Sequence, residues 1–184
     1  GGALYNKYVL PNLSAAQAAN VNTVSASYRA TDFGTRDSQT ITDSKHVVIG
    51  AEGEIGKWSY NTAVTWSENY IDEKYTGGYF KNTEFRSLIA SGSVDPFVEA
   101  GKQTAATQKL IADSIYHGTI RTASTTLTGV DFRASGDLMK LPAGTMSLGV
   151  GGDFRQYQYK QTASADAKAG VIYNYAAVPD YDMK

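Results

Sequence analysis

A chain of 184 residues can build one domain with a sizeable core, and its formal net charge of -1, with both signs interspersed, excludes the basic footprint of a nucleic-acid binder. Cysteine is absent, which excludes disulfide frameworks and thiolate metal sites. No apolar run approaches the ~20 residues of a membrane-spanning helix, yet strands of a membrane barrel escape that test because their lipid-facing residues alternate with polar ones.

Thirteen tyrosines and 18 glycines against four prolines describe a β-rich chain with many turns. The start, Gly1-Gly2-Ala3-Leu4, has neither a basic nor an apolar segment, so no signal peptide is expected here. Residues 1–22, with Leu10-Pro11-Asn12 and an Ala/Asn-rich run, read as a loop with room for one turn of helix. From about 24 to 33, Val24, Ala26, Tyr28 and Ala30 alternate with Ser25, Ser27, Arg29 and Thr31, which predicts a short strand. Gly34-Thr35-Arg36-Asp37-Ser38 predicts a break. A second strand is expected over about 45–53, where Val47, Ile49 and Ala51 oppose His46, Val48, Gly50 and Glu52. Hairpin counting thus makes two strands of 24–53, whereas treating 1–22 as an outer loop requires one or three.

The clearest strand is 58–72. Trp58, Tyr60, Thr62, Val64, Trp66 and Tyr70 form one face, and Ser59, Asn61, Ala63, Thr65, Ser67 and Asn69 the other. From Trp58 to Tyr70 is roughly 40 Å at about 3.3 Å per residue, and a tilt of about 45° projects this onto roughly 28 Å, close to the ~25 Å apolar band of an outer-membrane barrel. The link 54–57 is short enough for a hairpin.

Residues 73–118 form a long excursion. Phe85, Leu88 and Ile89 predict a helix over 83–90, capped by Asn82 and closed by Gly92, and Leu110, Ile111 and Ile115 predict another over 104–116. Strands are then expected at 119–136, with Thr128, Val130, Phe132 and Ala134 on one face, and at 145–160, with Met146, Leu148, Val150, Gly152 and Phe154. A tight connection, 137–144, joins them, and the tail after Gln161 reads as loop. Short and long connections alternate, as in an up-and-down membrane barrel with periplasmic turns and extracellular loops.

The residues that carry a family likeness follow in order. They are Arg29-x-x-Asp32-x-Gly34-x-Arg36, Gly50-Ala51-Glu52-Gly53 with Trp58-Ser59-Tyr60, and Ser93-Val94-Asp95-Pro96-Phe97. Asp131-Phe132-Arg133-Ala134-Ser135-Gly136-Asp137-Leu138, Leu141-Pro142-Ala143-Gly144 and Gly149-Val150-Gly151-Gly152-Asp153-Phe154-Arg155 complete it. Together, over roughly residues 24–160, they resemble the barrel of proteobacterial TonB-dependent outer-membrane receptors. The resemblance implies an all-β, antiparallel up-and-down sheet forming part of a barrel of about 22 strands with a plugged lumen. It also implies energised uptake of a scarce nutrient such as a siderophore complex, a cobalamin or an oligosaccharide. The plug domain, the coupling segment before it and a closing aromatic-ended strand have no counterpart in this sequence, so the chain reads as a piece of a receptor. The implied partners are outer-membrane lipid, the rest of the barrel and plug, and the periplasmic TonB protein.

Arg29, His46, Glu52, Asp131, Arg133, Asp153 and Arg155 all fall opposite the apolar stripes, as a polar lumen wall contacting a plug would require; solvated, mutually paired charges would sit there equally well. Trp58 and Tyr60 would form the inner aromatic girdle, and Trp66 and Tyr70 the outer. Tyr75, Tyr79 and Phe80 are candidates for ligand contact in the long loop, although such aromatics more often pack a loop's own core. No catalysis is expected: His46 and His117 lie in no metalloprotease motif, and Gly144-Thr145-Met146-Ser147-Leu148-Gly149 has one residue too many for a nucleophile elbow. No cofactor or metal is expected either, since Asp166, Asp180 and Asp182 match no calcium loop. Two alternatives stay open: a passive porin or autotransporter barrel, and a soluble secreted glycan-binding domain or adhesin.

Overall fold

The computed structural model describes residues 2–21, 24, 25, 27–176 and 179–184. Five strands form one open, antiparallel up-and-down sheet in the order β1-β2-β3-β4-β5. They are β1 Asp37–Ile55, β2 Trp58–Gly77, β3 Gly118–Leu141, β4 Gly144–Ala163 and the short β5 Tyr181–Met183. Two-residue turns join β1 to β2 and β3 to β4. Gly56 permits the first by adopting φ +64°, where a side chain would be strained.

Among the described residues five α-helices accompany the strands: α1 Ala3–Tyr8, α2 Ala15–Asn20, α3 Asn82–Ser91, α4 Ala105–Ser114 and α5 Ala165–Lys168. Ser14 starts α2 through a capping box with Gln17, and the Thr104 side chain accepts the Thr107 N–H to start α4. The expected Asn82 cap is not formed. Lys81 occupies the cap position, and Asn82 instead donates to the Gly170 carbonyl and accepts from Arg86 Nε at 2.7 Å. Gly92 does close α3, in the left-handed conformation.

The chain divides into two compact units, one of 1–39, 73–120 and 163–178, the other of 40–72, 121–162 and 179–184. The first unit carries the apolar core. One cluster joins Phe33, Phe80, Val94 and Ile111, with Tyr28, Phe85, Leu88 and Ile89 packed against it. Phe33 meets Phe80 edge-on at 4.5 Å, and Phe80 stacks on Phe85 at 4.3 Å. A second cluster joins Tyr116, Ile120 and Ile172. Asp95 ties α1 to the loop after α3, accepting from Lys7 Nζ at 2.8 Å, Tyr8 OH at 2.6 Å and the Phe97 N–H at 3.0 Å. Close approach is also required at Gly78, at φ +66°, because a Cβ there would strike the Thr35 carbonyl.

The second unit is a bare sheet. Ile49 is 73% exposed and Phe154 67%, and no buried apolar residue of the chain belongs to this unit among the described residues. At one edge β4 pairs with β5, with Tyr159 opposite Met183 and Gln161 opposite Tyr181.

Two sequence expectations fail at the beginning of the sheet. No strand forms over 24–33 among the described residues: 24, 25 and 27–30 are irregular and Thr31–Phe33 is a 3-10 turn, while Ala26 lies outside the described residues. The reason is burial of Phe33 in the first core with Tyr28 and Ala30 packed against it, together with Asp32 Oδ1 accepting the Gly101 N–H. Among the described residues one strand therefore occupies 24–53, and it begins at Asp37, inside the expected break. The tail after Gln161 is likewise not all loop, since β4 continues to Ala163 and α5 and β5 follow.

Candidate functional site: the polar face of the sheet

Strand alternation sends successive side chains to opposite faces, and contacts between neighbouring strands fix which residues share a face. On the polar face, Asn61 Nδ2 of β2 reaches Glu52 Oε2 of β1 at 3.4 Å, and the hydroxyls of Ser59 and Ser135 lie 3.2 Å apart between β2 and β3. Between β3 and β4 the pairing is of arginine with glycine. A Cβ on Gly151 would lie 3.3 Å from Arg133 Cγ, and one on Gly129 would lie 3.5 Å from Arg155 Cγ. The small residues leave room for the arginine stems to lie across the sheet.

The result is a shallow groove of about 790 Å³, bordered by Ser59, Asn61, Asp131, Arg133, Asp153 and Arg155. Arg155 Nε sits 3.1 Å from Asp153 Oδ2, with both side chains more than half exposed. An ion pair so exposed stabilises by only about 0–1 kcal/mol, so it can be exchanged for contacts with another polar surface at little cost. Two carboxylates and two guanidiniums give the groove no net charge. It suits a partner that presents both signs and hydrogen-bonding groups.

Four of the seven candidate charges thus meet in one groove: Asp131, Arg133, Asp153 and Arg155. Glu52 lies on the same face through Asn61, and His46, on the same alternation of β1, is exposed. Arg29 is a correction. It lies in the irregular segment before Thr31, outside the sheet, because the expected first strand does not form.

The opposite face is mostly apolar and exposed, and it carries one ion pair, Lys45 to Glu68 at 3.4 Å. Val47, Val64, Val130, Phe132, Met146, Leu148 and Val150 are all exposed along it. Its four aromatic candidates behave in two ways. Trp58 and Tyr60 lie over glycines of the neighbouring strands, for a Cβ on Gly136 would come within 2.7 Å of the Trp58 ring and one on Gly53 within 3.0 Å of the Tyr60 hydroxyl. Trp66 is half-buried, whereas Tyr70 is exposed. The glycines covered by rings were the part of this face that alternation could not reveal; the available signal was a glycine on the same stripe as an aromatic, one strand away. The Thr62 hydroxyl, also on this face, donates to the Asp131 carbonyl at 2.7 Å.

Of the loop candidates, Tyr75 and Tyr79 stack face to face with ring centroids 3.5 Å apart, and Tyr175 meets Tyr75 edge-on. Phe80 is only 7% exposed and belongs to the first core, as the packing alternative for these aromatics holds. Burial first, and the Asp166 carboxylate beside it second, push the Tyr116 phenol above its ordinary range, so it stays a donor at neutral pH. Among the described residues no three His, Cys, Asp or Glu side chains cluster to hold a metal ion, and no helix is long and apolar enough to cross a membrane, which says nothing of strands. No family model, curated protein or solved structure matches the chain.

Proposed function

We propose that this chain is a section of the wall of a TonB-dependent outer-membrane receptor, and that the whole protein takes up a scarce, large nutrient with energy delivered through the periplasmic TonB protein. One observation carries the reading. Strands of 19–24 residues, joined by two-residue turns, present an apolar face that is exposed from the turns up to Trp66, beyond which Lys45 pairs with Glu68, and a charged face on the other side. In water such a face is a liability; in a barrel wall it is the surface that meets lipid.

In this reading the turns at 56–57 and 142–143 face the periplasm. The segments before β1, between β2 and β3, and after β4 leave from the other end of an up-and-down sheet and face outward. The groove of Asp131, Arg133, Asp153 and Arg155 faces the lumen and holds the plug by exchangeable hydrogen bonds and ion pairs. No chemical step is assigned to the chain.

The sheet geometry serves a passive porin equally well, and the ordered motifs from Arg29 to Arg155 favour the receptor. The two are separated by photo-crosslinking the full-length protein in intact cells to TonB. The receptor reading predicts a crosslink that strengthens when the transported nutrient is added. A folded barrel that conducts ions continuously and never crosslinks would be a porin.

A further inference from the structure

Within the first unit, a cavity of about 820 Å³ opens between the N-terminal segment, the residues around Gly34 and α3. That volume lies within the roughly 300–1,000 Å³ of small-molecule sites. Its apolar wall is formed by Phe80, Phe85, Ile89 and Phe97. Aromatic edges and faces there come preorganised, because Phe85 is held by Phe80 at 4.3 Å, by Phe33 at 5.9 Å and by Tyr173 at 4.8 Å.

The charges lining the cavity are of one sign. Arg29 and Arg36 both border it, and none of its lining residues is acidic. Neither arginine has an ion-pair partner among the described residues. The nearby carboxylates are engaged elsewhere: Asp32 accepts from the Gly101 N–H and Tyr28, and Asp95 from Lys7, Tyr8 and Phe97. Arg36 is steadied over the Tyr79 ring, 5.6 Å from its centroid. Two guanidiniums beside an aromatic wall offer planar, bidentate recognition of a carboxylate or similar oxyanion, with apolar surface for the body attached to it.

We infer that this cavity is a binding site for a small molecule with a flat apolar body and an anionic oxygen group, the body against Phe85 and Ile89 and the anion on Arg29 and Arg36. The inference goes beyond the receptor reading and does not depend on it, since every residue used lies in one unit and none faces lipid.

The test uses three naphthalene probes of one shape and different charge, 2-naphthoate, 2-naphthamide and 2-naphthylmethylammonium, titrated calorimetrically into the purified chain. Naphthoate is expected to bind one site at least about tenfold more tightly than the amide, the ratio that about 1.4 kcal/mol gives, and the ammonium not measurably. R29Q and R36Q should each reduce the naphthoate-to-amide ratio several-fold and together bring it near one. R133Q, on the sheet, should leave it unchanged. Both cavity arginines are exposed, so thermal unfolding should show these variants folded; A90F, which fills the cavity from α3, should remove binding of naphthoate and amide alike. Equal affinity for naphthoate and amide, a ratio insensitive to the double arginine variant, or no saturable binding of naphthoate up to millimolar concentration would each overturn the inference.

Discussion

Replacing Val64 by arginine should abolish assembly of the sheet in a membrane, while replacing Asn61 by arginine, three positions earlier and on the other face, should leave it intact. Val64 is the midpoint of the stretch from Trp58 to Tyr70 and is half exposed on the apolar face. A charge facing lipid at the middle of the bilayer costs about 2–4 kcal/mol. The same charge at Asn61 would join Glu52, Asp131 and Arg133 on the polar face and lose nothing of that kind. Heat-modifiable migration and protease resistance of the full-length protein in outer-membrane fractions report assembly directly. If the Val64 variant assembles in membranes as well as the Asn61 variant, the apolar face does not meet lipid; a fully soluble, monomeric Val64 variant with unchanged strand content would point to the secreted-domain alternative.

The second large effect is expected at Asp95. Burial alone would raise its carboxyl pKa, but hydrogen bonds from Lys7, Tyr8 and the Phe97 N–H outweigh that and hold it below the ordinary range. Lys7 responds in the opposite direction, its ammonium raised first by the hydrogen bond to Asp95 and then by Tyr8. Because Lys7 is mostly exposed, solvent screens its share. The weight falls on the Tyr8 hydroxyl and the Phe97 N–H, which lose a charged acceptor. Hydrogen bonds to charged groups contribute about 1.5–3 kcal/mol each and are not additive, so Asp95→Ala should destabilise the first unit by about 2–4 kcal/mol.

The pH dependence has a definite sign. A carboxyl whose folded pKa lies below its unfolded value near 3.8 gives its full stabilisation above that value and loses it as pH falls through the folded pKa. Denaturant unfolding of the wild type should therefore show a loss of stability below about pH 4 that Asp95→Asn lacks, with parallel behaviour above about pH 5. Equal acid slopes in the two proteins would show that the Asp95 cluster does not hold α1 to the loop.

Where one face of a strand differs from the other, the sequence reading came close to the structure. The start of β2 at Trp58 and the turn before it were legible because Trp58, Tyr60, Thr62, Val64 and Trp66 oppose short polar residues, and β3 and β4 carry the same contrast. The first part of β1 was not legible, because Asp37-Ser38-Gln39-Thr40 and Thr42-Asp43-Ser44 are polar on both faces. Pairing reveals it instead, through Ser44 with Asn69 at 2.9 Å and Lys45 with Glu68 at 3.4 Å. Residues 24–33 show the converse error. Alternation of Val24, Tyr28 and Ala30 is what an extended segment also shows when its large residues turn into a core, and Phe33 and Tyr28 are drawn there by Phe80 and Phe85. An extended strand there would place Arg29 on the sheet, whereas the core-directed segment keeps it outside. The groove itself followed from alternation alone for Asp131, Arg133, Asp153 and Arg155, whereas the arginine stems over Gly129 and Gly151 depend on register between strands, which no single strand encodes.

In the proposed barrel, one face of this sheet meets lipid and the other a water-filled or plugged lumen. The chain contains no cysteine, so single cysteines can be placed at each position from 60 to 66, spin-labelled, and measured for collision with oxygen and with a water-soluble nickel chelate in lipid vesicles. Oxygen accessibility should peak at Tyr60, Thr62, Val64 and Trp66 and nickel accessibility at Asn61, Ala63 and Thr65, in opposite phase with a period of two. Nickel accessibility as high at Val64 as at Asn61 and Thr65 would contradict it.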